Sequence, residues 1–258
     1  VQRNVDATRM SQAVTGTGYV SSIVSAEVQE FAQSYRAVPA LPVTLVERAR
    51  FNPELNPTWF GGVVQVINNV TMLSIILTGA ALIREREHGT IEHLLVMPVT
   101  PFEIMTSKVL SMGLVVLVAA SFSLAVVVQG LIEVPIEGSI ALFLAGTALH
   151  LFATTALGIF LATLARSMPQ FGMLLILVLM PLQMLSGGST PRESMPEMVQ
   201  FIMLGAPTTH FIMLAQAILF RGAGFALVWP QFLALILIGG LLFAYTLSHF
   251  RTTIGSLA

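Results

Sequence analysis

Cysteine is absent from this chain, which excludes a disulfide framework and a thiolate metal site. Lysine occurs once, as Lys108, and aspartate once, as Asp6. A phosphate-cradling ATPase loop needs its lysine directly after a glycine-rich turn. Lys108 follows Met105, Thr106 and Ser107, so the sequence holds no such loop. Charge is scarce altogether: 10% of residues are Asp, Glu, Lys or Arg, where soluble domains carry about 25%. With 55% hydrophobic residues and a mean hydropathy of +0.84, this is the composition of an integral membrane protein. The net charge of −1 gives no argument for nucleic-acid binding.

Five apolar runs free of Asp, Glu, Lys and Arg lie at 61–83, 109–130, 138–165, 167–187 and 230–248. Each approaches the roughly 20 residues a helix needs to cross the hydrocarbon layer. Backbone groups in lipid must bond internally, so the expectation is an all-α polytopic protein. Its spans are set at about 61–83, 105–130, 138–165, 169–187 and 230–250. Pro181 is expected to kink or end the fourth.

Orientation follows the basic residues. Arg84, Arg86 and Lys108 flank the loop between the first two spans, Arg166 marks the next turn of that side, and Arg251 follows the last span. The loop 131–137 holds Glu133 and Glu137 and no basic residue. The positive-inside rule therefore places 84–108, Arg166 and the C-terminus in the cytoplasm, and residues 1–60, 131–137 and about 188–229 outside. Arg192 and Arg221 sit in the last external segment, where longer loops weigh less. The chain opens on Val1 with no signal segment. Five spans with residues 1–60 outside call for a sixth, in a piece ahead of Val1.

Residues 1–60 read as the C-terminal part of a small external, periplasmic α/β domain. The stretch Val43 to Phe51 alternates with strand periodicity, and 11–35 shows a looser helical pattern. Asn52-Pro53 and Asn56-Pro57 break the chain before the membrane. Trp59, Phe60, Trp229 and Tyr245 suit the aromatic belt.

The segment Arg84-Glu85-Arg86-Glu87-His88-Gly89-Thr90-Ile91-Glu92-His93-Leu94-Leu95 concentrates more charge than any other stretch. Gly89 can bend the chain, and Ile91, Leu94 and Leu95 share one face of a short amphipathic helix along the inner membrane surface. Pro98 ends it, and Thr100-Pro101-Phe102-Glu103 is a capping box that starts the next helix. One reading is a solvated loop that satisfies the positive-inside rule. The other is a docking surface, a stiff helix–turn–helix that moves two spans when pushed.

Three polar features lie inside the apolar runs. Gln65, Asn68 and Asn69 should face another helix or a wet pathway rather than lipid. His150, among Ala148, Leu149, Leu151 and Phe152, reads as a packed or interhelix hydrogen-bonded residue ahead of a proton relay. Thr154, Gly158 and Ala162 recur every four residues, which lets another helix approach closely, either within the bundle or at a dimer seam.

The run Glu85 to Pro98, followed by Pro101 to Lys108, resembles the signature of ABC-2 type exporter permeases. The likeness, closest to inner-membrane permeases of Gram-negative bacteria, extends over most of 50–258. It takes in Asn52-Pro53 through Trp59-Phe60, Leu185 to Pro191 with Met195-Pro196, and Pro207 to His210. It implies six spans in the whole protein, five of them here, with 61–258 as the transmembrane domain. It also implies cytoplasmic termini and a multi-pass place in the bacterial inner membrane. The residues it implies for ATPase coupling, within a segment 84–100, are Arg84, Glu85, Arg86, Glu87, His88, Gly89, Thr90, Glu92, His93 and Leu94. Within the external segment 187–229, residues 187–206 would form a re-entrant gate with Gly187, Gly188, Pro191 and Pro196. Gln65, Asn68 and Asn69 are the candidates for lining the pathway. The implied partners are a cytoplasmic ATP-binding-cassette subunit, which would hold ATP and Mg, and a second permease, identical or paralogous. Membrane lipid and an optional periplasmic adaptor complete the set. No cofactor is expected on the chain itself. The cargo is expected to be hydrophobic or amphiphilic and to move outward.

Three alternatives stand beside this reading. An ion-coupled transporter needs an ionisable group within the membrane, and only His150 and His249 offer one. An intramembrane protease lacks its residues: there is no aspartate pair, and His88 and His93, five apart, diverge on a helix. A non-transporting scaffold would use the same charged loop to recruit a partner.

Overall fold

The computed structural model describes residues 2–6, 19–20, 22–24, 26–28, 30, 46–50, 57–88 and 100–255. The chain divides into two units, Val1–Phe60 and Gly61–Ala258. In the first, β1 (Gln2–Asp6) pairs in parallel with β2 (Val46–Arg50), with Gln2 opposite Val46 and Asp6 opposite Arg50. Parallel strands need a crossover between them, and helical residues between 19 and 30 lie in that connection.

The regular structure among the second unit's described residues is all helical. Its helices are α1 (Pro57–Glu87, which begins in the first unit), α2 (Pro101–Ser123), α3 (Ile140–Leu164), α4 (Met168–Leu185), α5 (Glu197–Met203), α6 (Pro207–Ala215) and α7 (Phe225–Gly255). Five stretches are long and apolar enough to cross a membrane: Thr58–Glu87, Pro101–Leu131, Ile140–Leu164, Met168–Leu185 and Phe225–His249. They coincide with the five apolar runs. α1 continues one turn past residue 83, and α7 starts at Phe225, ahead of the expected 230, with Pro230 inside it. Pro181 lies within α4 and does not end it.

Local sequence explains where helices begin. Thr100 Oγ1 accepts from the Glu103 N–H (3.3 Å), and Glu103 Oε2 accepts from the Thr100 N–H (2.7 Å), completing the capping box with Pro101 at the first helical position. Ser139 caps α3 by accepting from the Leu142 N–H (3.3 Å). α2 runs on as a π-helix, Leu124–Leu131, and α6 as another, Gln216–Phe220. Both meet the loop before α3: Glu137 N–H donates to the Leu219 carbonyl (3.0 Å), and a Cβ on Gly138 would lie 2.1 Å from the Ile218 carbonyl oxygen.

The core sits between α1 and α3. More than half of each apolar window, 56%, is enclosed, against 11% for α4. The two helices run parallel with a nearly constant offset. Thr71 meets His150, Ser74 meets Thr154 and Arg86 meets Ala165, pairs 79, 80 and 79 residues apart. At Gly158 a Cβ would lie 2.7 Å from the Ile75 carbonyl oxygen. The stripe Thr154, Gly158, Ala162 is therefore used inside this chain. α7 also lies parallel to α3: Gly239 abuts the Phe152 ring, and Phe160 meets the Tyr245 ring edge-on at 5.6 Å.

The segment after α4 turns back on itself. Gly187 has φ +93°, a left-handed conformation that favours glycine, and Gly188 packs against Val64 and Ile212. α5 and the α6 stretch Pro207–Phe220 meet at 92°. α6 runs antiparallel to α3, with Ile218 by Gly138, Leu214 by Gly146 and Phe211 on His150. Pro207 is one turn earlier than Phe211. This sets the start of α6 level with the middle of α3, at about 1.5 Å of rise per residue.

Candidate functional site

At the end of α1 the charged run is tied to neighbouring helices. Three consecutive residues each hold a different helix. Lys108 of α2 donates to both carboxylate oxygens of Glu85, and both partners are partly buried. Arg86 forks onto the last turn of α3: Nη1 donates to the Ala165 carbonyl (2.6 Å) and Nη2 to the Ala162 carbonyl (3.0 Å). Glu87 Oε1 accepts from the Met168 N–H (3.0 Å), the first residue of α4. The physical logic is the same in the last two cases. A helix C-terminus leaves carbonyls without partners and favours a cation; an N-terminus leaves N–H groups and favours an anion. Arg86 and Glu87 thus straddle the tight turn between α3 and α4 and satisfy both of its ends. Gln170 closes the same turn, its Oε1 accepting from the Arg166 N–H (2.7 Å).

The two flanking residues behave differently. Arg84 and His88 are exposed. Their bonds are local: the His88 N–H (3.0 Å) and Nδ1–H (2.8 Å) both donate to the Arg84 carbonyl and close the end of α1. By their bonds the corner has an inward layer of Glu85, Arg86 and Glu87, the last exposed but tied to α4, and an outward layer of Arg84 and His88, for which no bond to another helix is seen among the described residues. Gly89, Thr90, Glu92, His93 and Leu94, with the amphipathic helix expected around them, lie outside the described residues. Neither the Glu85–Lys108 pair nor the Arg86 fork was read from the sequence. The one lysine standing across the same loop from Glu85 was the available signal for the first.

The pathway candidates separate. Asn68 is buried on the α3 side of α1. Gln65 and Asn69 are exposed on the opposite side and bonded to each other, Gln65 Nε2 donating to Asn69 Oδ1 (3.3 Å). They head a stripe along α1 that continues as Leu73 and Leu77. His150 is fully enclosed, with its ring stacked on Phe211 at 4.3 Å and bonded to Thr71 (2.8 Å), which is the interhelix role the sequence suggested.

The gate candidates occupy the bend between α4 and α5. Pro191 precedes a short 3-10 turn, Arg192–Ser194, and Pro196 precedes α5. Arg192 reaches across the bend, Nη1 donating to Met213 Sδ (3.2 Å). Gln200 Nε2 donates to the Met195 carbonyl (2.9 Å). Met195 and Met203 are buried, while Met198, Phe201 and Ile202 are exposed, so α5 presents an apolar outer face.

Five apolar spans, a charged corner tying four of their helices, and a bent helical pair after the fourth span describe a membrane transport subunit. Residues 13–220 match the ABC-2 type transporter family, and the chain belongs to it. Over all 258 residues it is 66% identical to the inner membrane transport permease YhhJ of Escherichia coli strain K12, covering 69% of that protein. The identity and coverage are the same for YhhJ of Shigella flexneri. A more distant relative, the "Probable multidrug ABC transporter permease YbhR" of Escherichia coli strain K12, is 27% identical over 239 residues, 92% of this chain and 64% of the relative.

Proposed function

We propose that the chain is the membrane permease subunit of an ATP-binding-cassette exporter in a bacterial inner membrane. It moves a hydrophobic or amphiphilic cargo outward, powered by ATP hydrolysed on a separate cytoplasmic subunit. Residues 1–60 face the periplasm and the C-terminus faces the cytoplasm. A second permease, identical or paralogous, completes the pathway, and the exposed Gln65–Asn69 pair is the polar surface of α1 offered to it. The bend at Gly187, Gly188, Pro191 and Pro196 forms the external gate as a re-entrant hairpin. Support comes from the family and from the ABC permease name carried by YbhR.

The observation that carries the mechanism is the two-layered corner. A partner bearing on the segment after α1 meets the exposed Arg84, Glu87 and His88 first. Because Glu85, Arg86 and Glu87 are fastened to α2, α3 and α4, displacement of α1 is shared by all four helices. Closure of the ATP-binding partner would in this way tilt the spans together. An isolated loop would absorb the same push without transmitting it.

The layers make separable predictions. Arg84→Glu should cut the ATP hydrolysis of the reconstituted permease–ATPase complex several-fold and leave the melting temperature of the permease unchanged, because an exposed charge contributes little to folding and much to docking. Wild-type hydrolysis in that variant would remove Arg84 from the docking face. A scaffold that recruits an ATPase without moving cargo would instead show hydrolysis unresponsive to any lipid or drug added to the vesicles.

A further inference from the structure

The seam between α1 and α3 is closed by direct hydrogen bonds at one level and left open at the next. Ser74 donates to Thr154 Oγ1 (2.7 Å), which donates to the His150 carbonyl (2.9 Å), and Thr78 donates to the Ser74 carbonyl (2.7 Å). One turn further toward the α6 side the pattern changes. Thr71 has a single hydroxyl proton and two acceptors in reach, the Ile67 carbonyl (2.8 Å) and His150 Nε2 (2.8 Å), so the imidazole tautomer sets the direction of the Thr71–His150 bond. In either tautomer Nδ1 is left over. Among the described residues nothing bonds to Nδ1, and the side chain is fully buried.

His150 is not alone. Asn68, one turn before Thr71 on the same face of α1, has a buried Oδ1 without a donor. Thr208 and Thr209, on the first turn of α6, and Ser186, at the end of α4, have buried hydroxyls without a partner among the described residues. The elements bearing them touch. Phe211, one turn after Thr208, lies flat on the His150 ring, and Gly188, two residues after Ser186, packs between Val64, one turn before Asn68, and Ile212. α6 begins on Ala206, which supplies no side-chain cap, with Pro207 at its first position. An unmet imidazole nitrogen, an unmet amide oxygen, three hydroxyls and an uncapped helix start therefore lie on elements packed against one another in the middle of the bundle. Buried polar groups in folded proteins are rarely left dry, and ordered water is their usual partner where protein groups do not reach.

We propose that the start of α6 is a hydration site. Ordered water bonds to His150 Nδ1, donates to Asn68 Oδ1 and accepts from the Thr208 and Thr209 hydroxyls, with Ser186 on the side nearer the loop end. Water suits the set because it both donates and accepts; a cation would leave the hydroxyl protons unmet, and an anion would oppose the Asn68 lone pair. The consequence is mechanical. α1 and α3 are joined by direct hydrogen bonds, but the first turn of α6, beyond the Phe211–His150 stack, meets them through exchangeable solvent, so its inner end can shift without breaking a protein–protein hydrogen bond.

Hydroxyl-radical labelling by X-ray radiolysis of the purified permease in lipid nanodiscs tests this, because radicals form on bound water. Phe211 and Phe171 are both almost fully buried, but Phe171 lies in an apolar cluster with Ile75 and Leu157. Phe211 should oxidise several-fold faster than Phe171. The paired substitution Thr208→Val and Thr209→Val keeps shape, removes both hydroxyls and should bring Phe211 down to the Phe171 rate. Equal rates in the wild-type protein would overturn the proposal whether or not the variant folds. A fast Phe211 rate that survives the valine pair would overturn it as well, since the water would then be held elsewhere.

Discussion

Arg86→Ala is expected to lower the stability of the detergent-solubilised permease by about 2–4 kcal/mol and to reduce its accumulation in membranes. Each bond from an ionised donor contributes about 1.5–3 kcal/mol, and half-exposure discounts the pair toward the lower end. The loss is larger than for an ordinary surface arginine because two helices are affected. The Ala162 and Ala165 carbonyls lose their partners at the α3 C-terminus, and α1 loses its fastening to the α3–α4 turn. Arg86→Lys should fall between wild type and alanine, since an ammonium cannot fork onto two carbonyls as a guanidinium does. Thermal melting followed by size-exclusion recovery checks all three proteins. The contrast with Arg84→Glu is diagnostic: Arg86 variants should lose stability, and Arg84 variants should lose coupling while keeping it. If both substitutions moved melting temperature alike, the division of the corner into an inward and an outward layer would be wrong.

The second large effect is expected at the closest approach of α1 and α3. A Cβ at position 158 would lie 2.7 Å from the Ile75 carbonyl oxygen and 3.1 Å from its Cα. Both are backbone atoms, so no rotamer change relieves the contact and the helices must part. Overpacking of this kind costs about 1–3 kcal/mol. Parting would also stretch the bonds Ser74–Thr154 (2.7 Å) and Thr71–His150 (2.8 Å), which lie one and two turns away. Gly158→Ala should therefore destabilise the permease clearly, and Gly158→Val should prevent it from accumulating. Gly172→Ala is the matched control. Nothing lies within 4 Å of its Cβ position, and alanine is the better helix former by about 1 kcal/mol. Melting temperatures of the three variants, measured side by side, should rank Gly172→Ala at or above wild type and Gly158→Ala well below it.

The sequence yielded the spans because apolar runs without charge have one solution in a membrane. It yielded the start of α2 because Thr100, Pro101 and Glu103 specify a cap through neighbours in the chain. It did not yield the inward layer of the corner. Arg86 and Glu87 bond to residues 79 and 81 positions away, and the carbonyls of Ala162 and Ala165 leave no mark in composition. One clue was present. Asn68, Thr71 and Ser74 on α1 and Thr147, His150 and Thr154 on α3 are two polar series of nearly matching spacing, and aligning them sets the offset that brings Arg86 to Ala165. The same alignment decides that the stripe Thr154, Gly158, Ala162 packs within this chain. Gln65, Asn68 and Asn69 group in sequence as amides at helical spacing within one apolar run. Helical geometry divides them, since Gln65 and Asn69 are four apart on one face and Asn68 is turned away from it. α7 begins at Phe225 rather than at the expected 230 and carries Pro230 in its second turn.

The absence of cysteine makes the most direct test clean. A single cysteine introduced by Arg84→Cys, in the permease purified with its ATP-binding subunit, reports what touches the outward layer of the corner. Short bifunctional cross-linking from position 84 should capture the ATP-binding subunit, with a yield that changes between nucleotide-free and ATP-trapped complexes. The same reagent at Glu137→Cys, on the loop at the far end of the bundle, should capture none. Failure of position 84 to capture that subunit in an intact complex, or capture from position 137 in its place, would contradict the account.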